Sequence, residues 1–180
     1  MKKLIFAAFI TLMIASCNQA VKKDDTTKQN GDAVTNNGDE MKATYEANLA
    51  AYKTQIAAFE KKDLNAWAAT IADTAKFLSP IYGDTATSKA HWVEYIKAIF
   101  DNNSNLHLTD AQFLPGIDTT TLKPDGSVRY YGTWNGTSKS GKEAGIKFYG
   151  TYDFNSDHKV ISGDEFYDIG GLQNAIAAKK

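Results

Sequence analysis

Tyr45, Leu49, Tyr52, Ile56 and Phe59 recur at intervals of four, three, four and three, which lines one face of a helix. Asp63 then offers a side-chain oxygen as N-cap for a second helix carrying Leu64, Trp67, Ala68 and Ile71. A third helix is predicted after Thr87-Ser88, with Trp92, Tyr95, Ile96, Ile99 and Phe100 on its buried stripe. It ends at Asp101-Asn102-Asn103.

Beyond this point the period changes from that of a helix to that of a strand. Leu106 to Leu122 reads as a long strand bent at Pro115-Gly116, because proline removes a ladder donor, and "KPDG" at 123–126 reads as the following turn. Val128, Tyr130, Gly132, Trp134 and Gly136 then alternate with Arg129, Tyr131, Thr133 and Asn135. A partner strand places Ile146, Phe148, Gly150, Tyr152 and Phe154 on one face. "NSDHK" turns the chain into a last strand from Val160 to Asp168, which Gly170-Gly171 ends, and the tail has helical character. Three N-terminal helices and an antiparallel meander predict an α+β domain with the helices on one face of the sheet.

The first forty residues follow another logic. Lys2 and Lys3 precede an uncharged run from Leu4 to Ala15, which is too short to span a bilayer and reads as a secretory signal. Ile14-Ala15-Ser16-Cys17 resembles the bacterial lipobox, which implies cleavage before Cys17 and a lipid on its sulfur. Residues 18–40 contain no aromatic residue and few apolar ones, so they cannot offset their ordering entropy and are expected to form a disordered tether. The expected division is 1–16 signal peptide, 17–40 lipid-anchored tether and 41–180 folded domain. The expected location is the bacterial cell envelope, on a membrane, with the outer membrane favoured. Lys23-Asp24-Asp25 resembles a surface-export signal but lies further from Cys17 than that pattern prefers, so the face of the membrane stays open.

Composition narrows the function. Loss of Lys2 and Lys3 leaves 18 basic against 21 acidic side chains, and no basic stripe emerges, so nucleic acid is not an expected partner. The single cysteine, once lipidated, leaves no thiol for a disulfide, a zinc thiolate site or a nucleophile, and neither metal nor cofactor is expected. "GTSKSGKE" at 136–143 has the glycine and lysine spacing of a phosphate-binding loop. Glu143 stands where that loop needs Ser or Thr, and the context is a hairpin, so nucleotide binding is set aside.

The stretch "AWAATIADTAKFLSPIYGDTATSKAHWVEYIKAIF" and the closing "DHKVISGDEFYD" resemble the nuclear-transport-factor-2-like superfamily in its polyketide-cyclase-like branch. The resemblance spans nearly all of residues 43–172. It implies a cone in which a strongly curved antiparallel sheet wraps a long helix and leaves a pocket at the open end. Some members are isomerases, dehydratases or cyclases and others are noncatalytic, so fold alone does not give activity.

Groups able to do acid-base chemistry in such a pocket are Asp73, Tyr82, His91, Tyr95, Asp110, Tyr152, Asp164 and Glu165. Of these, Asp73, His91 and Asp164 are the catalytic candidates, each with a plainer alternative. Asp73 suits a turn, His91 sits in the first turn of helix three, and Asp164 has the opposite sheet face open to it. His158, in a hairpin turn, is expected to be solvated. The expected ligand-binding set is Tyr82, Trp92, Tyr95, Trp134, Phe148 and Tyr152, taking a small hydrophobic or aromatic molecule, with no catalysis evident. Two alternatives remain: an acid-base enzyme in the same pocket, and a dimerising scaffold using the outer face around Arg129, Tyr131, Thr133 and Tyr149. A carboxylate within hydrogen-bond reach of a tyrosine inside an apolar pocket would favour the enzyme.

Overall fold

The computed structural model describes residues 37–177. The signal sequence, Cys17 and the tether up to residue 36 lie outside the described residues. Helix α1 spans Asn37–Glu60, beginning ahead of the expected boundary at residue 41. Tyr52 is buried, and Tyr45, Leu49, Ile56 and Phe59 pack around the core on the same face. Lys62, at a left-handed φ of 58°, stops the helix, and the amide of Asp63 closes back on the Ala58 carbonyl at 2.9 Å.

Asp63 then caps α2 (Leu64–Ala69), accepting from the Ala66 amide at 2.9 Å. Here the structure departs from the periodicity. Ile71 belongs to no helix: α2 ends after six residues, and Ile71, fully buried, opens strand β1 (Ile71–Leu78) opposite Val160. Two residues of β2 (Thr87–Ser88) pair with β1, and the Ser88 hydroxyl caps α3 (Lys89–Asn102) at the His91 amide. The buried stripe of α3 is Trp92, Ile96 and Phe100.

The rest is a meander: β3 (Asn103–Ile117), β4 (Pro124–Ser138), β5 (Glu143–Phe154) and β6 (Val160–Phe166). The sheet order is β2-β1-β6-β5-β4-β3, and β1 pairs with β6 in parallel. The sheet is therefore mixed and open, a correction to the all-antiparallel expectation. The long connection through α3 and the meander is what returns β6 alongside β1 in the same direction.

Curvature has identifiable sources. The β3–β4 register slips between Ser104 and His107 and again between Thr109 and Gln112, where Asn105 and Asp110 adopt positive φ. A third irregularity follows Pro115, at the predicted bend. The hairpin turn itself lies ahead of "KPDG": Asp118 donates its amide to the Lys123 carbonyl, its carboxylate accepts from the Thr120 and Thr121 amides, and Pro124 already begins β4.

The expected inward face holds, with Val128, Tyr130 and Tyr152 buried among α1 and α3. The last strand stops at Phe166 rather than Asp168, and the two glycines sit inside a fourth helix, α4 (Ile169–Ala177), which packs on β5. At the opposite hairpins, buried Asn48 of α1 donates to the Gly126 carbonyl at 2.8 Å and accepts from His158 Nδ1 at 2.6 Å. His158 is thus tied to the helix rather than merely solvated.

Candidate functional site

Between α1, α3, α4 and the concave sheet lies a cavity of about 200 Å³. Helix α1 contributes Tyr52, Gln55, Ile56 and Phe59, one helical stripe. Helix α3 adds Trp92, Tyr95, Ile96 and Ile99, and α4 closes a wall with Ile169, Leu172 and Ile176. From the sheet come Tyr130, Trp134, Ile146, Phe148 and Tyr152, all of the inward parity. The aromatic faces are ordered: Tyr130 stacks on Phe148 at 5.2 Å and Phe148 on Tyr167 at 5.3 Å.

Polar groups are few and mostly engaged with one another. Trp134 Nε1 donates to the Tyr130 hydroxyl at 2.8 Å, and the Tyr95 and Tyr167 hydroxyls share a hydrogen bond of 2.9 Å. The Tyr152 hydroxyl donates to Glu165 Oε1 at 2.9 Å. Among the described lining residues Glu165 is the one carboxylate, and there is no Lys, Arg or His. Burial among aromatic walls pushes its carboxyl up to about 7, and the Tyr152 hydrogen bond restrains the rise by favouring the ionised form. The phenols of Tyr152, Tyr130 and Tyr167 are pushed up from their ordinary range, chiefly by the same burial. Glu165 also borders a smaller pocket on the side of the Ser79–Thr87 loop, so the carboxyl stands at the junction of two spaces.

Two glycines make the Tyr152–Glu165 pair possible. Glu165 lies opposite Gly150, and Tyr152 opposite Gly163. A Cβ on Gly150 would stand 2.7 Å from Tyr152 Cε2, and one on Gly163 would stand 2.9 Å from the same ring. The ring lies flat over both, which carries its hydroxyl diagonally to the carboxylate.

Of the residues named from sequence, Trp92, Tyr95, Trp134, Phe148 and Tyr152 are brought to this cavity. Tyr82 is not: it stands fully exposed in the loop between β1 and β2. Asp73 is exposed too, its carboxylate held at 2.8 Å by Lys89, which keeps it below the ordinary carboxylate range through that hydrogen bond and charge. His91 is exposed and borders only the smaller pocket. Asp110 is exposed on the bulged strand β3.

Asp164 lies on the outer face, beside exposed Phe166. The cause is a bulge: Phe154 pairs with Val160 and Tyr152 with Gly163, so β6 spends one residue more than β5. That extra residue moves Asp164 outward and Glu165 inward. Glu165 belonged to the acid-base set read from the sequence, but its choice over Asp164 did not. Gln55, Tyr130 and Tyr167 line the cavity beyond the residues expected from sequence; the legible signal for Gln55 is a polar residue inside the Tyr52–Ile56–Phe59 stripe.

No protein-family model matches the chain, and no curated protein matches it. Solved structures do. A Bacillus subtilis protein provisionally described as an isomerase superposes with a TM-score of 0.63 at 15% identity, covering 76% of this chain and 96% of that one. An NTF2-like protein of unknown function from Burkholderia pseudomallei gives 0.59 at 17% identity, covering 73% and 98%. TerC co-crystallised with polyporic acid gives 0.58 at 18% identity, covering 73% and 99%. At these identities the likeness is one of fold.

Proposed function

We propose that this NTF2-like fold houses a binding site for a small, largely hydrophobic molecule, on which Glu165 transfers a proton. The observation that carries this reading is the Tyr152–Glu165 hydrogen bond inside an aromatic cavity. A carboxyl whose pKa lies near 7 is present in both forms at neutral pH, so it can take a proton and return it without a large free-energy step. Tyr152 engages Oε1, which leaves Oε2 for the ligand and fixes the direction in which that oxygen faces. The aromatic walls supply apolar area and stacking for a ring system. Proton abstraction beside a carbonyl, with return of the proton elsewhere, is the reaction class these groups support; double-bond isomerisation, β-elimination of water and aldol-type cyclisation of carbonyl compounds contain that step.

A protein of the same fold has been co-crystallised with a small molecule, polyporic acid, which supports a small-molecule role for the fold. Exchange of the α-hydrogens of 1-tetralone, an uncharged two-ring ketone, followed by NMR in D₂O, tests the reading. Exchange above the buffer rate that disappears in Glu165→Gln is the expected result. Binding of the ketone with exchange no faster than in Glu165→Gln would leave a binding protein and remove the catalytic role.

The anchor belongs to the same proposal. The lipobox-like ending at Cys17 supports lipid attachment in the cell envelope, with the polar segment that follows Cys17 as the tether that lets the domain stand off the membrane.

A further inference from the structure

Gln55 is the least explained group in the cavity. It is only 3% exposed, it projects from α1 on the stripe that lines the cavity, and its amide nitrogen has no hydrogen-bond partner. A buried polar group without a partner destabilises a fold, and a methionine or leucine of similar volume would fill the position without that cost. The paired tyrosines of the cavity add a second spare donor. Tyr95 and Tyr167 bond to each other, so whichever hydroxyl donates, one hydrogen is left over. Trp134 has committed its only donor to Tyr130, and Tyr152 has committed its own to Glu165. The lining therefore offers surplus donors and a single carboxylate, with no cationic side chain among the described lining residues.

From this we infer that Gln55 is the ligand-anchoring residue of the cavity: its carboxamide donates to an acceptor atom on an uncharged, ring-bearing ligand, and the site discriminates against anions. An anion would face Glu165 with no counter-charge to pay for its lost hydration. An uncharged acceptor, by contrast, completes the amide that the protein leaves open, so affinity is gained where stability was given up. The inference rests on the cavity being the ligand site, as proposed above, but not on Glu165 doing chemistry there.

Three probes of one shape separate the possibilities: 2-acetylnaphthalene, its carbon isostere 2-isopropenylnaphthalene, and 2-naphthoate, each titrated into the full-length protein by tryptophan fluorescence. In the wild type the ketone should bind at least tenfold more tightly than the carboxylate. Gln55→Met should lower the ketone-to-alkene affinity ratio by roughly tenfold, the worth of one buried hydrogen bond. It should leave alkene binding within twofold and should raise or preserve the melting temperature. An unchanged ketone-to-alkene ratio in both Gln55→Met and Gln55→Leu overturns the inference, as does carboxylate binding equal to that of the ketone. Should the variants not fold, that collapse itself overturns it, because an open, unpartnered amide cannot be indispensable to the core. Failure of both uncharged probes to bind the wild type would remove the ligand site itself, whereas equal binding with no effect of Gln55 would remove only its anchoring role.

Discussion

Tyr152 reaches Glu165 across two antiparallel strands at 2.9 Å, although Tyr152 is paired with Gly163 and Glu165 with Gly150. The contact is diagonal, and the two glycines beneath the tyrosine ring are what leave room for it.

Stability should follow the protonation of Glu165. Its carboxyl is raised from 4.5 to about 7, so the folded protein binds this proton more tightly than the unfolded chain does. The contribution is therefore fully present below pH 4.5 and is lost as pH rises through 7. The loss should come to about 2 kcal/mol, less than the full shift implies because Glu165 is partly exposed. Urea midpoints at pH 5 and pH 8.5 should diverge in the wild type and converge in Glu165→Gln. Equal pH dependence of the two proteins would show that the carboxyl titrates as an ordinary one.

Gly150→Ala should break the diagonal contact while leaving the identity of both partners unchanged. Its Cβ would meet Tyr152 Cε2 at 2.7 Å and Phe148 Cε1 at 2.8 Å, the first in a buried ring and the second in a half-buried ring packed against the core. The expected cost is about 1–3 kcal/mol. Loss of the tyrosine hydrogen bond should also move the Glu165 carboxyl further up, which carbon NMR of a labelled side chain would read. A variant as stable as the wild type with an unmoved carboxyl would mean that the ring does not need this glycine.

The two faces of β4 should differ sharply. Trp134 bonds to the Tyr130 hydroxyl and packs on Phe59 at 4.7 Å, so Trp134→Ala should cost about 3 kcal/mol. Tyr131 is 48% exposed and stacks only on Tyr149 at 4.7 Å in the outer row, so Tyr131→Ala should cost no more than about 1 kcal/mol. Unfolding at two protein concentrations adds a check on the outer row as a contact between two copies of the chain. A Tyr131→Ala cost that grows with concentration supports that contact, and a constant one removes it.

Cys17→Ser should abolish lipid attachment and leave the precursor unprocessed or released as soluble protein. Fatty-acid labelling and membrane fractionation give the answer, and continued labelling of the variant would refute the lipobox reading.

Much of this architecture was legible along the chain. The α1 stripe, the Asp63 and Ser88 caps and the parity of β4 and β5 are local consequences of spacing and side-chain chemistry, and the structure keeps them. That was enough to bring Trp92, Tyr95, Trp134, Phe148 and Tyr152 to one side. Ile71 shows where periodicity misleads: its spacing from Leu64, Trp67 and Ala68 continues a helix, yet burial opposite Val160 makes it a strand. The parallel β1–β6 pairing, the closure of the cavity by α4 and the exposure of Tyr82 depend on segments far apart in sequence meeting or failing to meet. No local pattern records that.

The choice between Asp164 and Glu165 is the sharpest case. Both carboxylates are adjacent in sequence, and strand parity alone allows either one to face inward. The bulge between Val160 and Gly163 decides, because one extra residue on β6 reverses the alternation for everything after it. Residue types and spacing determined by themselves that this strand would present a carboxylate to one face. Which carboxylate meets Tyr152 was decided only by pairing with β5, since a bulge is a property of two strands in register and not of either strand alone.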